Sequence, residues 1–166
     1  MKGAGIITGI ILGVLGGVYG NYAEAQTSGL LGEYFGTPNM TDLRVTRVDP
    51  EVFFDWLEDS PHSGIGVDRF SVCWTGFVTP AESGAYTFYV TSDDGVRLWL
   101  DDAMVVNAWV GQAPTEYSAS IDLVAGQPCP IRIDYYENTG GAVIQLEWEG
   151  PGVERSAVAA EYLSPG

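Results

Sequence analysis

The stretch GAYTFYVTSDDGVRLWLDD, residues Gly84 to Asp102, contains two runs in which apolar and polar residues alternate. Tyr86, Phe88 and Val90 share one face of the first run, and Val96, Leu98 and Leu100 share one face of the second. A period of two belongs to half-buried strands, whose side chains point to opposite faces in turn, and not to a helix. Between the runs stands Asp93-Asp94-Gly95. Asp-Gly is a favoured hairpin sequence, while two adjacent carboxylates at a strand end also offer oxygen ligands to a hard cation. The residues leave both readings open: a hairpin turn, or a corner that holds a metal.

Strand-like runs continue on both sides of this stretch. Leu30 to Phe35, Val52 to Trp56 and Phe70 to Phe77 precede it; a short run around Met104 to Val110, then Ser118 to Leu123, follow. Ile131, Ile133 and Tyr135 alternate in the next strand, and Ile144, Leu146 and Trp148 in the last long one. Pro and Gly clusters at Ser60–Gly64, Thr79-Pro80, Ala125-Gly126, Thr139–Gly141 and Gly150–Gly152 mark the breaks. No repeat or long linker divides the chain, and nothing reads as an amphipathic helix of useful length. Many short strands with regular turn signals indicate an all-β chain, an antiparallel β-sandwich of the jelly-roll-like kind. Asp101-Asp102 reads as the turn of the next hairpin.

The first 25 residues have the layout of a secretory signal peptide. Met1-Lys2 is a short basic start, Ile6 to Val18 is mostly apolar, and Ala23-Glu24-Ala25 is a small-residue cleavage site. An uncleaved membrane anchor over Gly3 to Gly20 is the rival, and the interior glycines favour cleavage. The expected organisation is therefore a signal peptide at 1–25 and one domain at 26–166, secreted or displayed at the cell surface, with no membrane span after cleavage. The chain carries 22 acidic residues against 7 basic ones, for a net charge of −15. Such a surface repels phosphate backbones, so nucleic acid is excluded as a partner. The balance is compatible with oxygen ligands for calcium, but on charge alone solubility through net charge accounts for it better.

Cys73 and Cys129 are the two cysteines. In an oxidising exterior an even count favours a disulfide, worth about 4 kcal/mol in the chain-entropy view; two separate buried thiols are the alternative. No C-x-x-C spacing points to zinc. His62 is the single histidine and lies in a Pro/Gly/Ser loop, so a Ser-His-Asp or Cys-His site is unsupported. Adjacent aspartates do not straddle a glycosidic bond as a hydrolase pair must. The chain does not read as an enzyme.

An ordered set of segments is similar to the domain named after the fourteen-kilodalton fragment of anthrax protective antigen, found also in yeast flocculins and fungal adhesins. They are Gly29-Leu30-Leu31-Gly32-Glu33-Tyr34-Phe35; Phe70 with Trp74-Thr75-Gly76; Ser83–Phe88 running into Ser92–Gly95; Arg97–Asp101; Pro130–Ile133 through Tyr135-Tyr136-Glu137; and Leu146-Glu147-Trp148. The resemblance implies a β-sandwich that serves as an extracellular, lectin- or adhesin-type carbohydrate-binding module. It implies a cis-linked Asp-Asp pair, Asp93 and Asp94, binding Ca²⁺, with an Asn of a second loop falling on Glu137 or Asn138 and carbonyls from Thr139, Gly140 and Gly141. The ion would meet vicinal hydroxyls of a terminal sugar on a glycan. Cys73 and Asp102 depart from the family's usual Arg and Gly. Trp109 and Tyr136 lie near strand or loop ends and are the candidates to stack on a sugar; Trp74, Trp99 and Trp148 fall inside strands and read as packing.

Together these observations predict a secreted calcium-dependent carbohydrate-binding module with metal ligands Asp93, Asp94, Glu137 and Asn138, and sugar contacts from Asp93, Asp94, Asn138, Trp109 and Tyr136. The alternative is an extracellular structural or assembly module, self-associating or bound to other extracellular proteins in a filament, sheath or surface layer, where Asp93-Asp94 is only a turn.

Overall fold

The computed structural model describes residues 28–166; the signal-peptide reading of 1–25 lies outside the described residues. Twelve strands follow in order: β1 Leu30–Phe35, β2 Leu43–Asp49, β3 Phe53–Leu57, β4 Phe70–Val78, β5 Gly84–Asp93, β6 Gly95–Leu100, β7 Ala103–Ala108, β8 Thr115–Leu123, β9 Cys129–Glu137, β10 Ala142–Gly150, β11 Val153–Ala157 and β12 Leu163–Ser164. A 3₁₀ turn at Ala160–Tyr162 precedes β12. A seven-stranded sheet runs β2-β1-β4-β9-β6-β7, with β12 added to the end of β4. A five-stranded sheet runs β11-β10-β5-β8, with β3 beside the first half of β10. Every pairing is antiparallel. No helix among the described residues is long and apolar enough to cross a membrane.

The core lies between the sheets and follows the alternation read from the chain. Tyr86, Phe88 and Val90 of β5 and Ile144, Leu146 and Trp148 of β10 face Val96, Leu98 and Leu100 of β6 and Ile131, Ile133 and Tyr135 of β9, all fully or nearly fully buried. Trp148 stacks on Tyr86 at 4.9 Å between ring centroids, and Trp74 packs edge-on against Tyr34 at 5.9 Å. Rings of this size bury the most apolar area per residue, so they dominate the stability of a two-layer sandwich.

Asp93-Asp94-Gly95 is not a hairpin turn. β5 pairs with β8 and β10, whereas β6 pairs with β7 and β9, so the chain changes sheets at this corner. Asp101-Asp102 is the hairpin turn expected of it: the pair joins β6 to β7 with φ of 48° and 60°, the left-handed conformations a two-residue type I′ turn requires.

A buried carboxylate ties the β1–β2–β4 edge together. Asp49 accepts hydrogen bonds from Tyr34 Oη at 2.5 Å, Trp74 Nε1 at 2.7 Å and Arg47 Nε at 2.6 Å. Gly32 lies beneath this network, where a Cβ would stand 2.7 Å from Asp49 Oδ2; only a residue without a side chain fits. Charge-assisted bonds to three donors hold the carboxylate in a site that otherwise disfavours it.

The expected disulfide is corrected by the strand register. Cys73 lies opposite Asp134, and Cys129 opposite Val78, on the neighbouring strands β4 and β9. Five residues of strand separate the two positions, about 17 Å, against the roughly 7 Å that a disulfide can span between Cα atoms. The odd offset also turns the side chains to opposite faces: Cys129 joins the core, and Cys73 lies beside Asp134. Both are buried free thiols. Burial, helped by the Asp134 carboxylate, pushes the Cys73 thiol up to about 12.

Two outcomes follow from this packing. Asp49→Ala, which strips two buried donors and a half-buried guanidinium of their shared acceptor, is expected to cost about 3–5 kcal/mol in chemical denaturation. Alkylation without reductant should label two thiols after unfolding and leave Cys73 unmodified in the native domain, as read by intact mass; a mass deficit corresponding to a disulfide would contradict the register.

Candidate functional site

Strand parity brings the acidic residues to one end of the sandwich. The core-facing series of β5 and β6 runs through Val90 and Ser92 to Val96, which places Asp94 in line with buried positions; Asp94 is 7 % exposed. The core-facing series of β9 runs Ile131, Ile133, Tyr135 and then Glu137, which is 0 % exposed. β6 and β9 pair with Gly95 opposite Tyr136 and Val96 opposite Tyr135, so the two series end side by side. Carboxylate oxygens of Asp93, Asp94 and Glu137 all lie within 4.8 Å of one another.

The surroundings orient these groups without neutralising them. The Asp93–Asp94 peptide is cis. Ser92 Oγ donates to the Asp94 carbonyl at 2.9 Å, closing the corner. Asp94 Oδ1 accepts the Gln112 backbone N–H and Oδ2 the Asn138 backbone N–H, both at 2.9 Å. Tyr135 Oη donates to the Asp93 carbonyl at 2.5 Å and lies 3.4 Å from Glu137 Oε2. Glu137 Oε1 is buried with no hydrogen-bond partner. Among the described residues no arginine or histidine forms an ion pair with any of the three. Burial, then Asp94 and Asp93, pushes the Glu137 carboxyl up to about 8. Burial, with Asp94 beside it, also raises Asp93.

A buried carboxylate oxygen without a donor, beside two more carboxylates, is costly unless a cation accepts it. The separation of 4.8 Å is less than twice the roughly 2.6 Å upper limit of a calcium–oxygen bond. One ion can therefore bridge any two of these groups, and a shift of a few tenths of an ångström brings the third within reach; an all-oxygen donor set suits a hard cation rather than zinc. Of the two candidates on the second loop, Glu137 brings its carboxylate into the cluster. Asn138 is exposed and contributes its backbone N–H to Asp94. Gly141 follows closely, a Cβ there standing 4.0 Å from Asp93 Oδ2.

Trp109 and Tyr136 come together beside this cluster. Their rings meet edge-to-face at 4.7 Å, and the Arg97 guanidinium lies 3.9 Å above Trp109. Tyr136 covers Gly95, where a Cβ would fall 2.1 Å from the ring. Trp74 and Trp148 are core residues, but Trp99 is not: it shares the outer face with Arg97 and Arg132, whose guanidinium lies 4.9 Å from its ring. Glu137 is expected from sequence as a ligand beside Asn138, and extending the β9 alternation one step separates the two. One contributor escaped the sequence reading. Gln112 carries no local signal, because only tertiary folding brings its loop to Asp94.

A family model described as the PA14 domain matches residues 26–162. The anti-sigma-I factor RsgI3 of Acetivibrio thermocellus is 39 % identical over 138 residues, which cover 83 % of this chain and 21 % of that protein. The solved structure of an anti-sigma factor domain-containing protein from Clostridium clariflavum is similar with a TM-score of 0.81 and 37 % identity, over 89 % of this chain and 51 % of that one. The chain thus spans about a fifth of the curated relative and about half of the solved one. The Epithelial Adhesin 6 A domain from Candida glabrata, solved in complex with Galβ1-3GlcNAc, has the same fold, with a TM-score of 0.71 at 13 % identity over 87 % of this chain and 90 % of its own. The match over 26–162 settles the family: the chain belongs to the PA14 domain family.

Proposed function

We propose that the domain binds carbohydrate at the cell exterior through a calcium ion held by Asp93, Asp94 and Glu137, with no bond made or broken. The observation that carries this reading is the convergence of three uncompensated carboxylates, one of them buried with an unpartnered oxygen. A bound calcium ion would offer coordination positions to vicinal hydroxyls of a terminal sugar. Asp94 is oriented by two backbone N–H groups, while half-exposed Asp93 and the unpartnered Oε1 of Glu137 supply the further oxygens. Thr139, Gly140 and Gly141 form the second loop, where Gly140 and Gly141 present backbone without side-chain bulk. Trp109 and Tyr136 offer an aromatic wall to the apolar face of a sugar ring. The sugar bound by a yeast adhesin of the same fold supports a glycan ligand. A shallow site of this kind binds a single sugar weakly, and affinity comes from repeated presentation. The identity with anti-sigma factors fits a longer regulatory protein in which this domain recognises the glycan.

Asp93→Ala and Asp94→Ala are each expected to abolish calcium-dependent binding on a glycan array while the circular dichroism spectrum stays that of a β-sandwich. Binding that survives excess chelator would overturn the proposal. Concentration-dependent oligomers unaffected by either substitution would favour the assembly reading instead.

Calcium at a hundredfold excess over Kd is expected to stabilise the wild-type domain by about 2.7 kcal/mol. Glu137→Gln replaces a repelled carboxylate by a neutral group of the same shape. It should raise the melting temperature in chelator and lose most of the calcium-dependent rise. A variant that melts lower than wild type in chelator would contradict the electrostatic account.

A further inference from the structure

We infer that Gln112, in the loop between β7 and β8, is a positioning residue that fixes Asp94 for the ion and holds the aromatic wall in register with it; the inference rests on the calcium-binding reading above. Most of this loop is exposed, and its neighbouring bonds are local: Val110 N–H to the Ala108 carbonyl at 2.9 Å, and Thr115 Oγ1 to the Ala113 carbonyl at 2.7 Å. Gln112 instead turns inward and grips the sheet-crossing corner at several points. Its backbone N–H reaches Asp94 Oδ1 at 2.9 Å, while its side-chain Nε2 donates to the Asp94 carbonyl at 3.1 Å and to Ser92 Oγ at 3.2 Å. The Ser92 carbonyl lies 3.5 Å from the same nitrogen.

The orientation of the carboxamide is fixed by chemistry. The carbonyls of Ser92 and Asp94 can only accept, so the nitrogen must face them. On the other side Tyr117 Oη donates to Gln112 Oε1 at 2.7 Å, satisfying the oxygen. Tyr117 sits on the edge strand β8, opposite Val90 of β5, which is paired on both sides. The chain of contacts thus runs from a core strand through Tyr117 and Gln112 to both the carbonyl and the carboxylate of Asp94. Trp109 lies three residues earlier in the same connection, so the anchor that sets Asp94 also sets where the Trp109–Tyr136 wall stands. Outer hydrogen bonds of this kind orient metal ligands and tune affinity.

The test compares wild type, Gln112→Met, Tyr117→Phe and, as a control, Thr87→Val, which removes the exposed Thr87–Ser120 contact elsewhere on the same sheet. Each is titrated with Ca²⁺ by calorimetry and melted in EDTA. Gln112→Met should weaken calcium binding about 10- to 100-fold, Tyr117→Phe should weaken it less, and Thr87→Val should leave it unchanged, with melting temperatures in EDTA close to wild type for all. Wild-type calcium affinity in Gln112→Met, or an equal loss in Thr87→Val, overturns the inference while leaving the calcium reading intact. A wild-type domain that takes up no calcium removes both. Should Gln112→Met fail to fold, Tyr117→Phe decides alone: unchanged affinity there counts against the positioning role.

Discussion

β5 and β6 are joined by one residue yet belong to different sheets, and the rest of the molecule is arranged around that constraint. A hairpin would have kept both strands in one layer. By crossing, the chain places Tyr86, Phe88 and Val90 on one wall of the core and Val96, Leu98 and Leu100 on the other. It also leaves the crossing itself at the end of the sandwich, where the core-facing series runs out of apolar residues. Asp94 and Glu137 are buried because they occupy core-facing positions there, not because a separate pocket was built for them. The candidate site is the polar terminus of the hydrophobic core.

The distribution of arginine sharpens this. Arg44 pairs with Asp42, Arg47 with Asp49, Arg97 and Arg132 with Asp134, and Arg155 with Glu116 and Glu147. The exposed pairs, such as Arg44–Asp42, contribute little to stability. The buried carboxylates Asp49 and Asp134 are different: each sits under a guanidinium and accepts from it directly. Three carboxylates at the sheet crossing receive no such partner. Among the described residues buried acids are otherwise matched by arginine, and that exception is the physical content of the calcium proposal.

Much of this was legible in the chain. The alternation of Tyr86, Phe88 and Val90, of Ile131, Ile133 and Tyr135, and of Ile144, Leu146 and Trp148 is enough to give the strands and their inner faces. Sequence did not reveal β2, because Leu43, Arg44 and Thr46 lie exposed on an edge strand and show no apolar rhythm. Nor could it tell a crossing from a hairpin at Asp93–Gly95, since both need a sharp corner and differ only in which strands pair. The cysteine pairing failed for the same reason: whether Cys73 meets Cys129 is a question of register between β4 and β9, fixed by tertiary packing. Trp99 was misread as packing although its parity with Arg97 already placed it on the outer face.

That Glu137, and not Asn138, brings its side chain to the crossing is the most consequential local feature of the second loop. Glu137 adds a third carboxyl to the crossing, and burial beside Asp94 and Asp93 raises it to about 8, so at neutral pH it holds its proton. The unbound crossing keeps the repulsion between Asp93 and Asp94, and under the calcium proposal a cation that relieves it must also displace the Glu137 proton. Asp94, held at both oxygens by backbone N–H groups from two loops, cannot turn away to escape that repulsion. Rigid ligands that cannot relax lose little entropy when an ion binds. The same hydrogen bonds that hold the two aspartates together would, under the calcium proposal, preorganise the corner for a divalent ion.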